Sequence, residues 1–140
     1  MRARFATALA VACAISIAAC GGITDPSNNQ QQQASGAFAP GGYSQGIPFT
    51  AKNGGELTVR ITALAPNSTT YVGIIWTQAA SDGSCNIGNL GQTLYQSGIA
   101  QLNVPAISGA QIISGQYCIF LYDSVGLTAG QTFTLVISHP

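Results

Sequence analysis

The chain has 140 residues, 46% of them hydrophobic, and only 6% carry charge, with four basic side chains offset by four acidic ones. That balance excludes a nucleic-acid surface, which needs Lys and Arg clustered on one face. Solubility rests instead on Ser, Thr, Asn and Gln, the polar groups of many exported β-domains.

The first element is an export signal. Arg2 and Arg4 stand ahead of an apolar stretch over residues 5–19 that closes on small residues, the arrangement of a cleavable leader. At about fifteen residues the stretch is shorter than the roughly 20 that a spanning helix requires. The tetrapeptide Ile17-Ala18-Ala19-Cys20 resembles a bacterial lipobox. The resemblance implies removal of residues 1–19, a lipid on the Cys20 thiol and a membrane partner reached through that lipid. Gly21, where an Asp would hold the protein back, implies passage to the outer membrane, with the domain facing the periplasm or the cell surface. An ordinary signal peptide cut after Ala19, leaving Cys20 as a free thiol, stays open beside it. Loss of the leader leaves Lys52 and Arg60 against Asp25, Glu56, Asp82 and Asp123, two positive and four negative charges, a net of −2.

Residues 20–42 follow, rich in Gly, Pro, Ser, Asn and Gln and including the glutamine run 30–33. Apolar periodicity is absent there, and such a composition buries too little surface to offset the entropy of ordering. The segment reads as a disordered tether. About twenty flexible residues reach roughly 25 Å, enough to hold a domain clear of lipid headgroups.

Residues 43–140 read as one domain built of strands. Leu57, Val59 and Ile61 alternate with Thr58, Arg60 and Thr62, and Phe133, Leu135 and Ile137 alternate with Thr132, Thr134 and Ser138, each set giving one apolar face at period two. Stretches rich in β-branched and aromatic residues at 71–77, 92–96, 100–104 and 116–122 read as further strands. Turn chemistry falls at Asn53-Gly54-Gly55, Pro66-Asn67-Ser68, Ser81-Asp82-Gly83, Ser97-Gly98 and Ser108-Gly109. Short strands at that spacing predict an all-β antiparallel sandwich or barrel.

Of the four cysteines, Cys13 leaves with the leader and Cys20 is the lipid site, so Cys85 and Cys118 remain. In an oxidising compartment these two are expected to form a disulfide. A structural zinc site wants four ligands, and a redox pair is more often spaced C-x-x-C. The bridge is expected to pin a sheet edge or to cross between sheets.

Three segments carry a further resemblance: Gly55-Glu56-Leu57-Thr58-Val59, Gly115-Gln116-Tyr117-Cys118-Ile119-Phe120-Leu121-Tyr122-Asp123, and Phe133-Thr134-Leu135-Val136-Ile137-Ser138-His139-Pro140. Their order resembles the bacterial pre-peptidase C-terminal domain, with a G-x-L-x-V strand, then a G-x-Y strand, then a closing F-x-L-x-I strand. The resemblance implies a jelly-roll-like β-sandwich that serves as an accessory or binding module rather than a catalyst. Tyr71-Val72-Gly73-Ile74-Ile75 stands where that family often carries an acidic D-L-D-L strand, which withholds the family's calcium site from this chain.

No catalytic residue is expected. The single histidine, His139, adjoins the end of the sequence and reads as a solvated end residue, and no G-x-S-x-G elbow accompanies it. Asp82 and Asp123, next to Gly83 and Ser124, read as turn formers, with calcium ligation a minor alternative. Asn67-Ser68-Thr69 reads as a turn rather than a glycan acceptor. Neither metal nor cofactor is expected.

Aromatic side chains are the remaining candidates. Tyr71, Trp76, Tyr95, Tyr117 and Tyr122 offer a stacking platform for glycan or a docking patch for an envelope protein, although period two places Trp76 on the face of Val72 and Ile74, as core. The expected function is non-catalytic binding of a ligand or protein by a lipid-anchored envelope module. The alternative is a structural or assembly role through sheet-edge pairing. Intact mass of the protein recovered from membranes tests the anchor: the native chain carries a diacylglyceryl group on Cys20, and Cys20→Ala releases the protein from the membrane fraction. An unchanged membrane fraction in that variant contradicts lipid anchoring.

Overall fold

The computed structural model describes residues 28–88 and 94–140, the side chains of residues 94–96 excepted. Cys20, the expected lipidation site, lies outside the described residues. Those described form eight strands: β1 (Gln30–Phe38), β2 (Ile47–Ala51), β3 (Gly55–Ala65), β4 (Val72–Gln78), β5 (Leu94–Ala100), β6 (Pro105–Ile112), β7 (Gly115–Tyr122) and β8 (Gln131–His139). They pair antiparallel into two four-stranded sheets, ordered β1-β8-β3-β6 and β2-β7-β4-β5. Every connection except β4 to β5 passes from one sheet to the other. This is the strand order of a jelly roll, two Greek keys rolled into a sandwich.

The core follows from period two. Leu57, Val59 and Ile61 of β3 and Phe133, Leu135 and Ile137 of β8 face Phe49 of β2, Val72, Ile74 and Trp76 of β4, and Tyr117, Ile119 and Leu121 of β7. Their polar neighbours Thr58, Arg60 and Thr134 point outward from the first sheet. Trp76 and Tyr117 lie with ring centroids 6.0 Å apart, and Tyr117 stacks on Phe49 at 5.4 Å.

Strand β1 corrects the tether. Residues 30–38 are not a spacer but the edge strand of the first sheet, in unbroken register with β8 from Gln30 opposite His139 to Phe38 opposite Gln131. Glutamine carries no charge and tolerates an edge position, while Gln32, Ala34, Gly36 and Phe38 turn toward the sandwich at period two. Gly36 lies beneath the Phe133 ring, where a β-carbon would come within 2.7 Å of it. Composition hid this strand because its inward residues are mostly small or polar and only Phe38 is fully buried.

Three other expectations change. Strand β2 goes unanticipated because its apolar alternation, Ile47, Phe49 and Ala51, is only five residues long. Ser97-Gly98 and Ser108-Gly109 lie within β5 and β6 rather than in reversals. Gly109 has φ +66° and accompanies the register shifts between β6 and β3, so its turn chemistry makes a bulge. The strand expected at 100–104 is the turn between β5 and β6, with Asn103 at φ 63° and its N–H donating to Ile61 O at 2.8 Å.

The Cys85–Cys118 disulfide forms, with Cα atoms 5.6 Å apart, and it neither pins an edge nor crosses the sheets. Cys118 sits on the outer face of β7, a central strand, and the bond draws the β4–β5 connection over that face. Ile75, Cys118 and Phe120 form a second buried cluster there, covered by Ala79, Cys85 and Ile87. Both faces of β7 are apolar for this reason. Closing a loop across 33 positions stabilises the fold by about 3–4 kcal/mol on a chain-entropy basis. Gly46 allows the close approach, since a β-carbon there would lie 2.4 Å from Cys85 Cβ and 2.8 Å from a Phe120 ring carbon.

Register also assigns the two ends of the sandwich. At one end Gln30 adjoins His139, and Lys52 N donates to Pro140 O at 3.1 Å, with Gly55 opposite Ile112 and Ala51 opposite Gly115. We call this the entry end. At the far end lie the β1–β2, β3–β4, β5–β6 and β7–β8 connections, residues 39–46, 66–71, 101–104 and 123–130. Nine residues of β1 separate the ends by roughly 30 Å.

Candidate functional site

Exposed apolar side chains gather at the far end. Among the described residues six large ones stand exposed: Tyr43, Tyr71, Ile99, Val104, Ile113 and Val125. Tyr43, Tyr71, Val104 and Val125 come one from each of the four far-end connections, and Ile99 is next to last in β5. Only Ile113 belongs to the entry end. The four connections hold one charged residue between them, Asp123. Scattered exposed apolar groups need no explanation, whereas five of these six collect at one end, which makes that end the candidate contact surface.

A row of residues crosses the outer face of the second sheet at this end: Tyr43 bridges Tyr122, Tyr122 pairs with Gly73, and Gly73 pairs with Ile99. The Tyr122 ring rests on Gly73, where any β-carbon would fall 2.2 Å from ring carbons. Glycine therefore seats the ring flat on the sheet. Tyr43 lies against it with ring centroids 5.2 Å apart and planes 31° from parallel, while remaining 49% exposed. Tyr71, immediately before β4 and about half exposed, precedes the buried Val72 and so points to the opposite, outer side.

The loops that carry these rings are fixed by hydrogen bonds. Asp123 accepts four backbone N–H groups, from Gly41 and Leu127 at 2.8 Å on Oδ2 and from Gly126 at 2.8 Å and Val125 at 3.1 Å on Oδ1. Its own N–H donates to Gly42 O at 3.1 Å. One carboxylate thus ties the β1–β2 loop, with Tyr43, to the β7–β8 loop, with Val125. Ser44 completes the attachment, since its N–H donates to Leu121 O at 2.7 Å and its Oγ accepts from Leu121 N at 3.0 Å. In the β3–β4 loop Asn67 Oδ1 accepts from Thr69 N and Oγ1 at 3.1 and 2.9 Å, and Asn67 N donates to the buried Gln131 Oε1 at 3.3 Å.

Of the aromatic candidates, Tyr71 and Tyr122 reach this surface. Trp76 and Tyr117 are buried between the sheets and take no part in a platform. Tyr95 lies in β5 by its backbone, and its side chain is outside the described residues. Tyr43 was missed because it fell at the tether boundary, and its signal was local: an aromatic between Gly42 and Ser44 in a glycine-rich turn.

His139 corrects another expectation. It is buried, at the inward end of β8 opposite Gln30, with its ring 5.2 Å from Phe49. The period-two phase of Phe133, Leu135 and Ile137 continues through it. Asp82 acts in a turn, accepting Ser84 N at 2.9 Å; the Ser84 hydroxyl first, then its N–H, hold this carboxyl below its usual range. Among the described residues no three His, Cys, Asp or Glu side chains gather as a metal set.

Asp123 is likewise held below the ordinary carboxylate range, chiefly by the Gly41 N–H and then by those of Leu127, Val125 and Gly126. A folded value below the unfolded one, about 4, contributes stability that is complete above about pH 4 and is lost as pH falls through the depressed value. Thermal melts between about pH 6 and pH 2 are therefore expected to show a smaller acid-side loss of Tm in Asp123→Asn, from a lower starting Tm, than in the native protein. Equal acid-side slopes contradict the role given to this carboxylate. No family model matches the chain, and no curated protein matches it either.

Proposed function

We propose that this chain is a lipid-anchored, non-catalytic binding module of the bacterial cell envelope that engages its partner with the far end of the sandwich. The observation that carries the reading is polarity: the chain enters at Gln30, and the exposed tyrosines and valines lie at the opposite end. A lipid on Cys20 would hold the entry end toward the membrane and turn the far end away from it. The three segments similar to the pre-peptidase C-terminal domain fall on β3, β7 and β8, and they agree with an accessory role. Here β1 and β2 precede the strand that opens the domain in that family.

The far-end surface suits a neutral partner. Its rings are held rigidly, by Gly73 beneath Tyr122 and by Asp123 behind the Tyr43 loop, so binding orders few side chains. Arrays of glycans and peptides probed with the delipidated protein test this reading. Specific binding is expected, weakened at least tenfold in Tyr43→Ala combined with Tyr122→Ala. Absence of any signal, or a signal indifferent to both tyrosines, counts against a far-end binding site.

One observation favours a second reading, assembly by strand addition. Strand β1 is a nine-residue edge in unbroken register, with no charge and no proline, and such edges accept partner strands. Sedimentation at rising concentration distinguishes it: association abolished by Gln33→Lys with Ser35→Lys favours the edge, and a monomer throughout removes self-assembly through it.

A further inference from the structure

A cleft of about 340 Å³ opens beside the tyrosine row, between the β1–β2 loop and the stapled β4–β5 connection. Tyr43 and Gln45 line one side, Asn86 and Ile87 the other, and Phe120 lies beneath. No Lys, Arg, Asp, Glu or His lines it. We infer that this cleft holds one unit of a neutral sugar chain, with the C–H face of the pyranose on Tyr43 and its hydroxyls on the amides of Gln45 and Asn86. The inference rests on the binding-module reading and names its ligand class.

Three features favour sugar over an extended peptide. Along the β1–β2 loop Ser44 N is spent on Leu121 O, Gly42 O on Asp123 N and Gln45 O on the Ser44 hydroxyl, which interrupts any ladder a peptide would extend there. The exposed polar side chains that line the cleft are amides, Gln45 and Asn86. Asn86 Oδ1 accepts Gly88 N at 3.0 Å, its Nδ2 carries two further donors, and Gln45 is exposed with both donor and acceptor. A neutral ring with one apolar face and equatorial hydroxyls matches an aromatic wall flanked by amides, whereas an ionic ligand finds no counter-charge.

The Cys85–Cys118 bond supplies one wall. It anchors Cys85, next to Asn86, onto β7, so opening the bond releases one of the ties that hold this wall in place. Sugar capture is therefore expected to weaken when the bond is removed.

The test is titration of the full mature chain with linear neutral tetrasaccharides of glucose, mannose, galactose and N-acetylglucosamine, beside an acidic oligosaccharide and an uncharged extended peptide. At least one neutral tetrasaccharide is expected to bind. Tyr43→Ala, Asn86→Ala and the paired Cys85→Ser with Cys118→Ser variant should each weaken it about tenfold or more. Asn86→Ala lies in an exposed loop, and circular dichroism is expected to be unchanged by it. Binding of the peptide or the acidic sugar alone, still sensitive to Tyr43, overturns the sugar assignment and leaves the binding module standing. Sugar binding indifferent to Asn86 and Tyr43 overturns this cleft as the site, and no binding by any probe overturns both readings.

Discussion

The antiparallel pairing of β1 along β8 is the constraint on which the rest of the structure depends. It completes the first sheet at four strands, brings Phe38 to Phe133 at 6.3 Å between ring centroids, and hands the chain to the second sheet through residues 39–46. With that crossing made, the order β1-β8-β3-β6 over β2-β7-β4-β5 follows. It also gives the molecule a direction. The chain enters beside His139, and the loops that alternate with the entry-end turns collect at the other end.

Two-sided burial of β7 is the second organising feature. Its inward set, Tyr117, Ile119 and Leu121, fills the sandwich, and its outward set, Cys118 and Phe120, would face water if the β4–β5 connection did not cover it. Burying a side chain the size of Phe120 is worth about 1.5–3 kcal/mol. The disulfide and Gly46 act together here, one drawing the loop down and the other leaving room for it. The same cover ends at Tyr122, which leaves this outer face open at the far end and makes the tyrosine row accessible.

Much of this was legible in the residues. Period-two alternation in β3 and β8 and the mixed apolar run of β7 announce strands, and the pairing of Cys85 with Cys118 agrees with the expectation of an exported chain with two cysteines left to pair. What escaped was β1, because edge position asks little of side chains and four glutamines looked like spacer. Turn chemistry misled at Gly98 and Gly109, where glycine served the interior of a strand and a bulge. At His139 nearness to the end of the sequence suggests exposure, while its phase in β8 puts it inward. The candidate site is half visible: Tyr71 and Tyr122 stand out as aromatics, but Tyr43 is the first residue past the tether boundary, outside any stretch that reads as a strand. No sequence pattern shows that four separate loops meet at one end.

The proposed function draws on direction and surface rather than on reactive groups. Carboxylates and a histidine that invite chemical readings are occupied otherwise, Asp123 with four N–H groups, Asp82 with Ser84 and His139 in the core. At the far end the exposed groups include rings and valines, Tyr43, Tyr71, Val104 and Val125. The pairing of β1 with β8 is tested most directly by amide hydrogen exchange across residues 30–38. With β1 paired, protection is expected at alternate amides, those that face β8, comparable to their partners in that strand. Uniform exchange at the rate of an unstructured peptide across all nine residues would contradict it, and would remove the entry and far ends with it.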